Sequence, residues 1–188
     1  MGEIEKHLPA LLEVVETLQR EIPDLKVVIP AANDKAYAVI TSQTSRTSRT
    51  SQTSRVSVTR GEARAALNAA DAAVVASGTA TLEAALAGCP TVLVYKVGWL
   101  FAFLARRFIK GIRHIGLANI IAEKAGKQCP MPELLQEDFT AEKVLAVLRP
   151  LLGHEEANAV ARALLNETMK LLKSDGGAIT RIADRVLD

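Results

Sequence analysis

The sequence predicts an α/β fold: a parallel sheet flanked by helices, followed by a helical C-terminal region. Three observations lead there. Short apolar runs alternate with helical segments of about ten residues, the pattern of βαβ units. The stretch "VVASGTATLEAALAGCPTVLVY", Val74 to Tyr95, passes from an apolar run through Ser-Gly-Thr into an alanine-rich helix, stops at Gly88 and Pro90, and enters a second apolar run. Beyond Tyr95 the character becomes helical.

Taken in order, Glu3 to Arg20 is a helix, because Ile4, Leu8, Leu11, Leu12, Val15 and Leu18 recur on one face. "IPDLKVVIP" then stops that helix and supplies a strand. Residues Thr41 to Arg55 read "TSQTSRTSRTSQTSR", with no apolar side chain to bury, and disorder is expected over 41–55. Three arginines among hydroxyls could bind anions or be phosphorylated alongside them, but the run is read as a solvated loop. "RVSV" (55–58) reads as a strand, 62–69 as a helix, 72–76 as a strand, 80–87 as a helix and 91–95 as a strand. Helices follow at 98–110, 117–124, 141–152, 155–172 and 177–187.

Composition narrows the function. The 188 residues are enough for one domain with a full core, and 49% hydrophobic content fits a globular chain. A net charge of +2 and 4% aromatic residues argue against nucleic acid. Cys89 and Cys129 form no Cys-x-x-Cys or Cys-His cluster, and His7, His114 and His154 stand at no ligand spacing, so no metal site is expected. Cys89 reads as a small buried residue. The N-terminus lacks the apolar core of a secretory signal, and a reducing cytoplasm is expected. Ala84 to Ala105 is long enough and apolar enough to suggest a membrane span, but "AGCP" breaks it and "TVLVY" is strand-like.

The Ser77-Gly78-Thr79 turn has a chemistry of its own. A strand delivering the chain to a helix N-terminus gathers unpaired N–H groups, a glycine and two hydroxyls, with roughly half a positive charge from the helix dipole. Such a point attracts phosphate, and in open α/β sheets ligands sit beyond the carboxyl ends of strands. The same residues could merely cap the helix. Glu83, one turn into the helix on the same side, would repel phosphate but accept hydrogen bonds from sugar hydroxyls, which favours a nucleotide sugar.

"AADAAVVASGTATLEAALAGCPTVLVYKV", with "WLFAFLARRFIKG" and "LANIIAEKAGKQCPMPELLQEDFTAEKV", resembles the C-terminal half of the lipid-A-disaccharide synthase family, over nearly the whole chain. The opening "MGEIEKHLPALLEVVETLQREIPDLKVVIPAAN" resembles that family's segment just after its "GSR" motif. The resemblance implies a GT-B architecture of two Rossmann-like domains with the active site between them. It implies transfer of 2,3-diacylglucosamine from its UDP donor to 2,3-diacylglucosamine 1-phosphate (lipid X), giving lipid A disaccharide phosphate and UDP, with no cofactor.

On that resemblance Ser77, Gly78 and Thr79 face the diphosphate, Glu83 faces the ribose, and Asn119 and Gln136 line the donor cleft. No Asp-x-Asp metal motif occurs, which agrees with amides and a helix dipole stabilising the leaving group. Residues 1–188 are then a single nucleotide-sugar-binding domain lacking its first strand and the "GSR" turn, with the acceptor domain and its acid/base residue elsewhere. The chain alone is expected to be inactive, needing that acceptor domain or a homo-oligomer. Ala118 and Glu123 depart from the family's "LPNLLAG". Alternative readings are a non-catalytic UDP-sugar-binding or decayed fragment, or a UDP-N-acetylglucosamine-using GT-B relative.

No acidic residue lies between Glu83 and Glu123, while Arg106, Arg107, Lys110 and Arg113 share one helical face. Trp99, Phe101 and Phe103 cover much of the rest. This pairing could rest on an anionic leaflet, each basic side chain adding about 1 kcal/mol, or pack its rings on the sheet. With acylated substrates implied by the resemblance, the expectation is a peripheral location on the cytoplasmic side of the inner membrane.

Overall fold

The computed structural model describes residues 2–47, 55–76, 78–96 and 114–174. In chain order the elements are α1 (Gly2–Glu21), β1 (Val27–Ala31), α2 (Asp34–Thr47), β2 (Val56–Arg60), α3 (Ala63–Ala69), β3 (Ala73–Ala76) and α4 (Thr79–Leu86). Then come β4 (Thr91–Tyr95), α5 (Leu117–Lys124), β5 (Glu133–Leu135), a 3-10 turn (Gln136–Asp138), α6 (Ala141–Gly153) and α7 (Glu155–Ser174). The fold is α/β, with parallel strands flanked by helices. The helices expected at 98–110 and 177–187 lie outside the described residues.

Two sheets form, ordered β1-β2 and β3-β4-β5. The central strand β4 reads Thr-Val-Leu-Val-Tyr, and its first four residues are buried, as a parallel strand covered on both faces requires. On one face, Val92 and Val94 pack against Val14 and Leu18 of α1 and Val144, Leu145 and Leu148 of α6. On the other, Val75 packs with Ala84 and Ala85 of α4 and Leu165 and Met169 of α7. The α6–α7 hairpin therefore clasps the sheet, one helix on each face. Small alanines in α4 let it lie close to the strands.

A third cluster joins Leu8 and Leu12 of α1 to Ala31 of β1 and Ile40 of α2. Positions 8 and 12 lie roughly 120° around the helix from 14 and 18, so α1 has two apolar stripes and serves both sheets. Glu21 at its end makes a paired contact with Arg149 of α6, at 2.7 and 3.0 Å. That guanidinium holds the Glu21 carboxyl below its ordinary range.

Residues 41–47 correct the expectation of disorder over 41–55, because they form the last turns of α2. Asn33 caps that helix, its Oδ1 accepting the Ala36 N–H at 2.9 Å. Ala36, Tyr37 and Ile40 then dock on α1 and the first sheet. The hydroxyls of Ser42, Thr44 and Ser45 donate to the carbonyls of Val39, Ile40 and Thr41 at 2.8, 3.0 and 2.7 Å, so this polar stretch satisfies itself locally. Helix propagation from a docked start costs far less than nucleation, which composition alone does not reveal. Residues 48–54 lie outside the described residues.

The amino-terminal edge of the second sheet is tied by α7. Arg162 donates to Asn158 Oδ1 at 2.8 Å and to the carbonyls of Gly88 and Ala70, each at 3.1 Å, while Asn158 donates to the Asp71 and Leu151 carbonyls. These bonds fix both chain segments that enter β3 and β4. Leu165→Ala, at a fully buried position of α7, should destabilise the fold by about 2–5 kcal/mol in urea titration. Val160→Ala, on the solvent side of the same helix, should stay within about 0.5 kcal/mol.

Candidate functional site

The register of the second sheet brings three strand ends together. Ala76 pairs with Val94, and Tyr95 with Leu135, so the chain leaving β3, β4 and β5 emerges at one carboxyl edge. Gly78, Lys96 and Gln136 sit there.

Gly78 is exposed, with φ +139° and ψ −159°, a conformation that side-chain-bearing residues rarely adopt. A Cβ built on it would meet nothing within 4 Å, so backbone conformation rather than crowding selects glycine. The buried Thr81 pins this turn from inside: its N–H and its hydroxyl both donate to the Gly78 carbonyl, at 3.2 and 2.8 Å. The N–H groups of Thr79 and Ala80, at the start of α4, have no partner within the helix. Thr79 and Glu83 are exposed on this helix, while Ala84 and Ala85 face the core. The structure therefore brings Gly78, Thr79 and Glu83 to one accessible surface. Ser77 lies outside the described residues.

Gln136 closes the opposite side of the edge. Its φ of +54° is in the left-handed region, unusual away from glycine, and the turn it makes lets its carbonyl accept the Phe139 N–H at 3.3 Å. It is partly buried.

Asn119 is placed differently. Its side chain is fully buried and committed: Nδ2 donates to the Met131 carbonyl at 2.7 Å and to Glu133 Oε1 at 2.8 Å, and Oδ1 accepts the Met131 N–H at 3.0 Å. In this arrangement Asn119 presents no group to a ligand. It positions α5 and the start of β5 instead.

Sequence reasoning missed the partner at the centre of that network. The Glu133 carboxylate is buried and accepts the Ile115 and Gly116 N–H groups, each at 3.0 Å, besides the Asn119 amide. It thus holds the two residues that lead into α5, and a carboxylate there suits the positive end of the helix dipole. Gly116 is required by this contact, since a Cβ there would sit 2.8 Å from Leu93 Cδ1 and 3.2 Å from Glu133 Oε1. His114 Nδ1 lies 3.6 Å from the same carboxylate and its Nε2 lies 3.3 Å from Cys129 Sγ. Burial pushes the Cys129 thiol up, with the Glu123 and Glu133 carboxylates adding to it, so this sulfur is a neutral, hydrogen-bonded group.

His7 also reaches the carboxyl edge. Its Nε2 accepts the Lys96 N–H at 3.0 Å, and its ring stacks on Phe139 with centroids 5.3 Å apart. The contact spans 89 residues of sequence, and the only signal for it is that His7 shares a stripe of α1 with Val14 and Leu18. It orients the chain as it leaves β4. A cavity of about 530 Å³ lined by Asp71, His154, Asn158 and Arg162 lies at the opposite, amino-terminal edge, away from these groups. Trp99, Phe101, Phe103, Arg106, Arg107, Lys110 and Arg113 lie outside the described residues. Among the described residues, no group of three or more His, Cys, Asp or Glu could hold a metal ion.

With this geometry in hand, comparison with known proteins is informative. The model of a family described as lipid-A-disaccharide synthetase matches residues 1–177. The chain is 36% identical over 186 residues to the lipid-A-disaccharide synthase of Anaeromyxobacter dehalogenans (strain 2CP-C), covering 99% of this chain and 46% of that relative. It is 34% identical over 186 residues to that of Trichlorobacter lovleyi, with the same coverage of 99% and 46%. Against the Geobacter sulfurreducens enzyme of the same name it is 31% identical over 190 residues, covering 100% of this chain and 46% of the relative. The chain spans about half the length of the curated relatives it matches.

The Asn119–Glu133 network makes a prediction. Asn119→Ala leaves a buried carboxylate and a backbone N–H short of a partner and should cost about 1–3 kcal/mol. Asn119→Asp sets a second carboxylate beside Glu133 and should cost more at pH 7. Urea midpoints of the two variants at pH 7 check both costs.

Proposed function

Because the chain belongs to the lipid-A-disaccharide synthetase family, we propose that it is the donor-binding half of a glycosyltransferase of lipid A synthesis. The donor is UDP-2,3-diacylglucosamine and the acceptor 2,3-diacylglucosamine 1-phosphate, with UDP leaving as the glycosidic bond forms. The acid/base that activates the acceptor hydroxyl lies in the part of the relatives outside this match, and this half alone does not turn over.

The observation that carries the reading is the turn from β3 into α4, where an accessible Gly78 and the first N–H groups of α4 stand one turn from an exposed Glu83. With Ser77, they would receive the diphosphate, and Glu83 the ribose hydroxyls. As the bond to the sugar breaks, negative charge grows on the leaving diphosphate. Amides and a helix dipole already aimed at that point favour the charged state without reorganising. Gln136, two strands away, is roughly 10 Å across the sheet edge, close enough for one nucleotide sugar to touch both sides. Asn119 supports the site through Glu133 and α5 rather than by contact.

Isothermal titration with UDP, at fixed salt, tests this. The chain should bind, and Glu83→Ala should weaken binding about tenfold or more, the equivalent of one lost hydrogen bond to a charged group. Equal affinity in the variant, or no binding by a chain shown folded by circular dichroism, would overturn the assignment.

Membrane attachment belongs to the same proposal. No helix among the described residues is long and apolar enough to cross a membrane. Acylated substrates still call for a surface contact, which we assign to Trp99, Phe101, Phe103, Arg106, Arg107, Lys110 and Arg113 on the anionic cytoplasmic leaflet. Replacing Arg106, Arg107 and Lys110 by glutamate should abolish co-sedimentation with phosphatidylglycerol vesicles. Sedimentation equal to that of the parent chain would rule the surface out.

A further inference from the structure

We infer that Lys96 is a diphosphate-binding residue of the donor site and that His7 is the residue that positions it. The inference rests on the donor reading above and deepens it.

The turn into α4 carries little positive charge of its own. A helix dipole supplies roughly half a unit charge at its N-terminus, and the exposed Glu83 carboxylate stands about one turn further along the same helix. Together they leave a field that suits ribose hydroxyls but opposes a diphosphate. A diphosphate at Gly78 therefore needs a cation beside it.

Lys96 is placed to be that cation. The last rung between β3 and β4 pairs Ala76 with Val94, so Gly78 and Lys96 each lie two residues beyond it. Neighbouring strands run roughly 5 Å apart, and a lysine ammonium rides on a flexible four-carbon stem, so the Gly78 turn is within its reach. Lys127 and Lys143 pair with Glu167 and Asp138, whereas Lys96 is exposed and makes no ion pair among the described residues.

His7 keeps Lys96 at that point. Lys96 follows Tyr95, which forms the last rung to β5 with Leu135, and a strand end without ladder partners frays. The His7 imidazole takes over: at 6% exposure it is buried, and its Nε2 accepts the Lys96 N–H at 3.0 Å. The ring is clamped in turn, stacked on Phe139 with planes 28° apart and lying 6.0 Å from the Tyr95 ring. Phe139 is the residue whose N–H closes the Gln136 turn. One imidazole therefore holds the chain leaving β4 against the turn that follows β5, which fixes Lys96 between Gly78 and Gln136. Packing alone would be served by a leucine at this buried position; the acceptor nitrogen is the feature that packing does not require.

Isothermal titration of the full chain with UDP at fixed salt, beside a urea midpoint for each variant, tests both roles. Lys96→Met should weaken UDP binding about tenfold or more, the loss of one hydrogen bond to a charged group. Lys96→Arg, and Lys26→Met at an exposed lysine ahead of β1, should stay within about twofold of the parent. His7→Phe keeps a ring and removes the acceptor, so it should lower UDP affinity several-fold and speed amide exchange at Lys96. His7→Gln restores an acceptor and should recover both. Affinity of Lys96→Met equal to the parent, with Glu83→Ala still weakened, would overturn the inference and leave the donor reading intact. A folded parent chain that binds no UDP would overturn both, and His7→Gln as weak as His7→Phe would overturn the positioning role.

Discussion

The two stripes of α1 are the constraint on which the architecture depends. Leu8 and Leu12 hold β1 and α2, Val14 and Leu18 hold β4 and α6, and among the described residues no backbone ladder links the two groups. The relative placement of the sheets is therefore a matter of side-chain packing on one helix, helped by α3 on the far face and by the Glu21–Arg149 pair at the helix end. Burial of these four side chains contributes on the order of 6–12 kcal/mol before the entropy of ordering α1 is subtracted. His7 uses the same stripe as Val14 to reach Lys96, so the packing that joins the sheets also fixes where the chain leaves β4.

The two edges of the β3-β4-β5 sheet are treated oppositely. At the amino-terminal edge the protein's own side chains fill the hydrogen-bonding needs of the incoming segments, through Arg162 and Asn158. At the carboxyl edge Gly78, Thr79 and Glu83 are exposed and Gln136 holds a left-handed backbone. Rigid support on one side and accessible polar groups on the other is how a parallel sheet carries a ligand site.

Much of this was legible in residue order. The strands at 56–60, 73–76 and 91–95 and the helices between them follow from apolar runs punctuated by glycine and proline, and Gly78 and Glu83 stand out by type and spacing. What was not legible depends on long-range contact. β5 has three residues, too few for a period to show, and it exists because β4 offers it a ladder. The polar turns of α2 are helical because Ile40 is held against α1 and the first sheet and the following hydroxyls bond to the helix's own carbonyls. Glu133 looks like a surface acid in "PELLQED", and only the fold reveals the N–H groups it serves. Asn119 shows the same limit from the other direction: a residue type suited to a ligand is spent on Met131 and Glu133.

That last contrast separates the two helix N-termini most able to hold an anion. α5 begins at Gly116 and α4 at Gly78, neither with a side-chain cap of its own. At α5 the positive end of the dipole is already answered by the buried Glu133 carboxylate, which takes two backbone N–H groups and repels any second anion. At α4 the polar groups turned inward are claimed by Thr81, which bonds to the Gly78 carbonyl rather than to the N–H groups of the first turn. Glu83 is the nearest carboxylate along α4, and it stands a full turn away. The electrostatics of one terminus are therefore satisfied from within, while those of the other face outward, at the carboxyl edge of the second sheet. The Glu133 carboxylate therefore closes the first terminus to an anion, while the second stays accessible.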